Sequence, residues 1–321
     1  MPPKNKNKKD VKQSAEPTYT AEKLFGVEHI DESVEQLKDN FGQIPIHKFY
    51  TGNLKLEYNN VQGRFVTVTQ DIPAGTVVFD QLPYAAVVED QYLPSICQRC
   101  FVACHGTSMR CQECKIVHYC SMTCMRADFP LHQLECNTFA KLPSIRYEGP
   151  TATLRCIIRS IYLAHMEKQY LEDEKKKLSQ RNRALMQWKP RVGCSWADVT
   201  NLMSHEEKVD GNTKRAVMAV MKAVGGIMDP NVWDPAVAVE AMQLYFRLQV
   251  NAHRLQDASK NLIGLGLYAA VSYANHSCNP SCVYHFAANG ALVMRTIRPL
   301  KKGEEVTYSY INLYEPSFTR R

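Results

Sequence analysis

Residues 97–136 read CQRCFVACHGTSMRCQECKIVHYCSMTCMRADFPLHQLEC. The metal-ligating residue types fall at Cys97-x2-Cys100-x10-Cys111-x2-Cys114-x5-Cys120-x3-Cys124-x7-His132-x3-Cys136. A Cys-x2-Cys turn places two sulfurs on one ion, and soft thiolates select zinc over magnesium or calcium. Eight such donors complete two tetrahedral Zn2+ sites and leave no open coordination position, which makes the sites structural. Cys120/Cys124 and His132/Cys136 are each four apart, so each pair can share one face of a helix. A module of about 40 residues encloses little core of its own, so the metals must supply much of its folding free energy. Spacing alone does not decide which four residues share an ion. Cys104 falls outside the pattern and reads as a small loop residue.

The surrounding chain is that of an ordinary globular protein. Of 321 residues, 45% are hydrophobic and 22% charged. A mainly disordered chain is excluded, and no apolar run reaches a membrane span. The first residues, MPPKNKNKKD, lack the apolar core of a secretion signal, so the twelve cysteines point to metal or reduced thiols in an intracellular protein of the nucleus or cytoplasm rather than to disulfides. The formal charge of +7 is concentrated in a basic tail, where five lysines precede residue 13. Thiolate ligation of two zinc ions brings the body close to neutral. That balance argues against direct nucleic-acid binding.

Residues 1–20 read as a disordered tail, and 21–42 carry apolar positions at helical spacing (Leu24, Ile30, Val34, Leu37, Phe41). LKLEY, GRFVTVTQDI, GTVVFDQL and YAAVVED, between 54 and 89, are short, β-branched and punctuated by turn residues, which predicts strands. Helices are expected from about 151, with Leu154, Ile157, Ile158, Ile161, Ala164 and His165 on one face, and over about 213–224 and 234–249. β-like pieces return at 262–271, 282–286, 291–297 and 305–311. Split β segments around a helical stretch predict an α+β fold interrupted by other modules.

The cysteine pattern resembles the MYND zinc finger. That resemblance implies interleaved ligands: Cys97, Cys100, Cys120 and Cys124 on one ion, Cys111, Cys114, His132 and Cys136 on the other. It also implies a protein-binding module that docks proline-rich peptides. Residues 263–282, IGLGLYAAVSYANHSCNPSC, together with GEEVTYSY at 303–310 and GRFVTVTQDIPAG at 63–75, resemble the SET domain of lysine methyltransferases. A β-rich SET fold split by a MYND finger and a helical insertion is the arrangement of the SET-and-MYND-domain family. VNAHR at 250–254 and LMSH at 202–205 are similar to further segments of that family. The implied organisation is an N-terminal SET portion with its leading helix at 21–96, the finger at 97–136, a helical insertion at 137–240 and a C-terminal SET portion at 241–321.

The resemblance further implies a protein-lysine N-methyltransferase with a histone or non-histone substrate and S-adenosylmethionine (SAM) as methyl donor. Gly63, Arg64, Asn251, Asn275 and His276 are then the cofactor-binding candidates, and Tyr310 is the catalytic hydroxyl lining the lysine channel. Glu304 and Glu305 support their motif rather than act as bases. A Cys278/His276 nucleophilic pair is disfavoured, because near neighbours rarely face one another and no third member is evident.

Three departures from the family pattern bear on activity. Gly-x-Gly is replaced by Gly63-Arg64-Phe65, Ser281 stands where asparagine is usual, and no cysteine follows Cys282, so the chain reads as a short form without the cysteine-rich post-SET segment. The alternative reading is a weak or inactive SET-MYND adaptor or transcriptional co-regulator that acts by protein–protein binding.

Overall fold

The computed structural model describes residues 53–106, 108–175, 195–311 and 313. The basic tail and the helix expected over 21–42 lie outside the described residues.

The chain enters as a hairpin, β1 (Leu54–Asn59) and β2 (Gly63–Val68), paired from Leu54↔Val68 to Asn59↔Gly63. The turn follows from its sequence. Asn59 Oδ1 accepts the backbone N–H groups of Val61 and Gln62 at 2.9 and 2.7 Å, and Gly63 supplies the left-handed φ of +69° that closes a three-residue loop. β3 (Val77–Gln81) and β4 (Ala86–Val88) follow, each with apolar residues turned inward.

Next come the short hairpin β5 (Met109–Arg110) and β6 (His118–Tyr119), then helix α1 (Met122–Lys141). α2 (Thr151–Lys175) is the central helix. Asp90 holds its start, accepting from the Thr151 N–H at 2.8 Å, the Thr151 hydroxyl at 2.6 Å and Arg155 Nη2 at 2.6 Å. Arg155, itself fully buried, also donates to the Val88 carbonyl at 2.7 Å, which ties the helix to β4. The expected single apolar face is too narrow a reading. Leu154, Cys156, Ile157, Ile158, Ile161, Tyr162 and Leu163 are all buried, because α1, β4 and further helices pack around α2.

Among the described residues, three more α-helices precede the second group of strands: α3 (Trp196–Thr200), α4 (Gly211–Gly225) and α5 (Pro235–Asn251). Each has a side-chain cap: Ser195 and Asp198 form a capping box, Asp210 caps α4 and Asp234 caps α5. The strands are β7 (Ala252–Gln256), β8 (Leu262–Leu267), β9 (Asn275–His276), β10 (Cys282–Phe286), β11 (Leu292–Thr296) and β12 (Thr307–Tyr308).

These strands complete sheets begun before α1. One sheet runs β4-β8-β7, another β10-β11-β3. β4 approaches β8 so closely that a Cβ on Gly264 would stand 2.8 Å from the Val87 carbonyl, which excludes larger residues there. β9 and β12 pair in parallel, Asn275 opposite Thr307 and His276 opposite Tyr308. Backbone bridges from Thr67 to Glu305 and from Ile72 to Leu300 fasten the last segment to the first hairpin. The mixed helices and small sheets are the α+β arrangement expected from the sequence. The strand expected over 305–311 contracts to Thr307–Tyr308, since the polar run before it spends its backbone on bridges and turns.

Candidate active site and metal centre

The cysteine module folds into two knuckles. Phe101 N–H donates to the Cys97 carbonyl at 2.9 Å, and Lys115 N–H to the Cys111 carbonyl at 3.1 Å. Both donors take left-handed φ angles, 58° and 56°. The first knuckle brings Cys97 and Cys100 together, the second Cys111 and Cys114. α1 begins at Met122, with Ser121 as its N-cap accepting the Cys124 N–H at 3.2 Å. Cys120 therefore lies before the helix and does not share a helical face with Cys124, although the two sulfurs still stand 3.6 Å apart. His132 and Cys136 do lie one turn apart on α1.

Two quartets result: Cys97, Cys100, Cys120, Cys124 and Cys111, Cys114, His132, Cys136, with the donor atoms of each set within 4.8 Å of one another. This is the interleaved pairing implied by the MYND resemblance. Neighbouring donors stand 3.6 Å apart for Cys100–Cys120, 3.7 Å for Cys111–Cys136 and 3.7 Å for Cys114 Sγ to His132 Nε2. A tetrahedron with zinc–sulfur bonds of about 2.3 Å has edges of roughly 3.8 Å. Donor type, number and spacing thus fit one structural zinc ion in each set. Cys104, buried nearby, belongs to neither.

A buried charge network stands behind the second set. His132 Nδ1 faces Glu135 Oε1 at 3.5 Å, leaving Nε2 for the metal. Fully buried Glu135 pairs with Arg159 of α2, and Arg159 pairs in turn with Asp128, which accepts the Tyr119 hydroxyl at 2.9 Å. Burial would lower the Arg159 pKa, but Asp128 and Glu135 overcome it and hold the guanidinium charged. A carboxylate behind a ligating histidine fixes its tautomer and ring orientation. Nothing in the sequence spacing signalled Arg159, because its partners lie 24 and 31 residues away.

The expected cofactor residues come from three separated segments, and hydrogen bonds tie Arg64, Asn251 and Asn275 to neighbouring segments. Three successive carbonyls after α3 accept from three different side chains: Asn201 from Arg64 Nη1 at 2.6 Å, Leu202 from Arg247 Nε at 3.0 Å, and Met203 from Asn251 Nδ2 at 2.8 Å. Arg64 also lies over the Tyr273 ring, 4.9 Å from its centroid. Ser272 Oγ lies 3.0 Å from the Tyr268 carbonyl and 3.3 Å from that of Asn251, with one proton shared between the two acceptors. Asn275 Nδ2 donates to Glu305 Oε1 at 3.0 Å, while Gln62 Nε2 donates to the other oxygen of the same carboxylate at 2.9 Å. A Cβ built on Gly63 meets nothing within 4 Å, so the backbone there borders open space. Tyr273, Glu305 and the 201–203 carbonyls were not singled out in this role from the sequence. Only the LMSH segment hinted at the last of them.

His276 accepts the Tyr310 backbone N–H at Nδ1, 3.0 Å away. Its ring proton therefore sits on Nε2, 3.3 Å from Cys278 Sγ. The sequence reading that these two do not face one another is corrected, because the turn after β9 folds Cys278 back onto the ring. No third residue completes a nucleophilic triad among the described contacts. Ser281 is fully buried. Its hydroxyl accepts the Thr307 N–H at 2.8 Å, and its own N–H donates to Thr307 Oγ1 at 3.1 Å, so it stitches β9's exit to β12.

Tyr310 is half exposed, yet its hydroxyl turns inward and donates to the Ala274 carbonyl at 2.7 Å. Its ring centroid lies 4.8 Å from that of Tyr308, which is buried and packed edge-on to Tyr284. Burial is the leading cause that raises the pKa of both phenols above the ordinary value, so both stay protonated at neutral pH. Glu304 caps the Lys301 N–H and pairs with Arg298 at 3.0 Å, a supporting position outside this cluster.

Residues 63–311 match the family model of the SET domain. The chain is 27% identical over 261 residues to a histone-lysine N-methyltransferase ASHR1 of Arabidopsis thaliana, covering 81% of this chain and 50% of the relative. It is 26% identical over 282 residues to the mouse histone-lysine N-methyltransferase SMYD3 (87% and 58%), and 25% identical over 262 residues to the human N-lysine methyltransferase SMYD2 (81% and 54%). The chain thus spans about half the length of the curated relatives it matches. A solved SET domain of LSMT, bound to lysine and AdoHcy, covers 87% of this chain and 54% of its own at 11% identity, with a TM-score of 0.33 too low to argue from. With the family match running through β2 to β12 and two interleaved zinc quartets set between its strands, the chain belongs to the SET domain family and is of the SET-and-MYND type.

Proposed function

We propose that this protein is a SAM-dependent protein-lysine N-methyltransferase. The observation that carries the reading is the parallel pairing of β9 with β12, which sets Asn275 opposite Thr307 and His276 opposite Tyr308, with the His276 ring centroid 5.5 Å from that of Tyr310. SAM supplies an electrophilic methyl group. Gly63, Arg64, Asn251, Asn275 and His276 are the residues that would hold it. Arg64 keeps guanidinium N–H groups beyond the one given to Asn201, as a carboxylate-bearing ligand requires.

The target lysine must reach the methyl group as a neutral amine. Rings of Tyr284, Tyr308 and Tyr310 would flank the amine, and the loss of water from the amine on entry disfavours the ammonium. The Tyr310 proton is committed to the Ala274 carbonyl, so its oxygen offers lone pairs to an amine N–H and orients the nitrogen. As a neutral phenol Tyr310 orients rather than deprotonates; the amine proton leaves to solvent before transfer. Alignment is then the main catalytic contribution.

The same reading takes 97–136 as a partner-binding finger for proline-rich segments and the rest as a SET domain in two portions with a helical insertion. Phe65, where the family has glycine, and the engagement of Arg64 with Tyr273 favour a second reading, a partner-binding member without transfer. Equilibrium binding of labelled SAM to the purified chain, followed by transfer of label to histones and a lysine-peptide library, separates the two. The methyltransferase reading requires binding, and transfer that Tyr310→Phe abolishes while binding persists. Absence of binding at millimolar SAM overturns it.

A further inference from the structure

His253 sits on β7, where alternate residues turn inward, and it is 8% exposed. It is encircled by aromatic rings. Tyr308 stacks on it with centroids 5.8 Å apart and 25° between planes, while Tyr268 and Tyr284 meet it edge-on at 5.5 and 5.8 Å. Nε2 stands 2.9 Å from the Tyr308 hydroxyl. Nδ1 is buried, closes no hydrogen bond of ordinary geometry, and the neighbouring Asn251 backbone favours a proton there.

A phenol has one proton to give. With the imidazole proton on Nδ1, Nε2 is an acceptor and takes the proton of Tyr308. Tyr310 has already given its own to the Ala274 carbonyl. Both hydroxyl protons are then committed elsewhere, so the contact between the Tyr308 and Tyr310 side chains takes no proton from either and each oxygen keeps its lone pairs. Were Nε2 protonated instead, Tyr308 would direct its proton at Tyr310 and block one acceptor.

We propose that His253 is a positioning residue that draws the Tyr308 proton away from Tyr310, so that the two phenol oxygens act together as an acceptor pair for the N–H bonds of an incoming lysine amine. This rests on the methyl-transfer reading. It assigns His253 and Tyr308 to the reaction beside Tyr310, with His253 acting only through Tyr308.

The test uses His253→Phe, His253→Gln and Tyr308→Phe in the full chain, with SAM affinity, kcat and KM for a methyl-accepting peptide. His253→Phe keeps a ring and removes the acceptor; His253→Gln keeps a carbonyl acceptor. Expected are a kcat loss of about tenfold for His253→Phe, the order for one positioning hydrogen bond, with SAM affinity unchanged, and recovery to within about threefold for His253→Gln. The double variant His253→Phe/Tyr308→Phe should be no worse than the poorer single one. Multiplying losses, or wild-type kcat in His253→Phe, overturns the proposal. Long-range 1H–15N correlation spectra of histidine-labelled protein give a readout free of activity. A neutral ring protonated on Nδ1, with Tyr310 resonances that shift in His253→Phe and return in His253→Gln, supports the proposal. A proton on Nε2, or an unmoved Tyr310, overturns it. Should the wild-type chain transfer no methyl group, the functional reading fails and these spectra still decide the hydrogen-bond assignment.

Discussion

Asn275 donates its side-chain amide to Glu305 at 3.0 Å, across the parallel pair that joins two segments thirty residues apart in sequence. The other Glu305 oxygen takes Gln62 from the first hairpin. One carboxylate thus aligns three segments at the edge of the proposed SAM site. Glu305→Ala frees all of them. We expect SAM affinity to fall about tenfold, the equivalent of roughly 1.4 kcal/mol, while far-UV circular dichroism and thermal unfolding stay near wild type. Calorimetric titration checks this, and unchanged affinity would remove Glu305 from the site.

Zinc content is separable by quartet. Cys114→Ser removes a ligand from the set that contains His132 and leaves Cys97, Cys100, Cys120 and Cys124 whole. Elemental analysis should find two zinc ions in the wild-type chain and about one in the variant. A variant that still holds two contradicts the ligand assignment. Because structural zinc binding is folding free energy, proteolysis should also open the 97–136 segment first.

Arg159 joins the finger to the central helix through Asp128 and Glu135. Arg159→Met keeps the bulk but leaves two carboxylates buried without their counter-charge. Removing one partner of a buried ionic network costs about 3–5 kcal/mol. Denaturant unfolding should show that loss, and chelators should strip zinc from the variant at lower concentration, since Glu135 no longer holds His132 in place. Unchanged chelator sensitivity would mean that the network serves packing alone.

Burial of His253 depresses its pKa from 6.5 to about 4. The folded state therefore resists a proton that the unfolded chain accepts. At neutral pH and above neither state binds it, and the contribution to stability is intact. As pH falls below about 6.5 the unfolded chain is favoured progressively, and the penalty levels off below about 4, near 3 kcal/mol in all. Other groups titrate in the same window, so the informative quantity is the difference between wild type and His253→Phe. That difference should grow between pH 6.5 and 4. Parallel stability curves would show that His253 is charged or solvated in the folded protein.

Legibility differed sharply between the two sites. The finger is local: its eight ligands fall within forty residues, and thiolate chemistry with knuckle spacing leaves few alternatives. Even there the sequence misplaced Cys120 onto a helix, since the cap at Ser121 decides where α1 begins. At the other site, NHSC and GEExxxxY were visible as motifs, but their neighbours were not. Tyr273 under Arg64, Ser272 on Asn251 and His253 on Tyr308 are contacts between residues that bear no periodic or spacing signature.

The amino-acid sequence by itself determined that two metal-bound quartets interrupt a β-rich chain, because ligand type and short-range spacing are properties of the covalent order. Tertiary structure alone decided which side chains share the clefts, which nitrogen of each histidine carries the proton, and which carboxylate stands behind which ligand. Those outcomes depend on burial and on partners brought close by folding from distant segments. Desolvation and hydrogen-bond geometry exist only once the strands on either side of the finger have met.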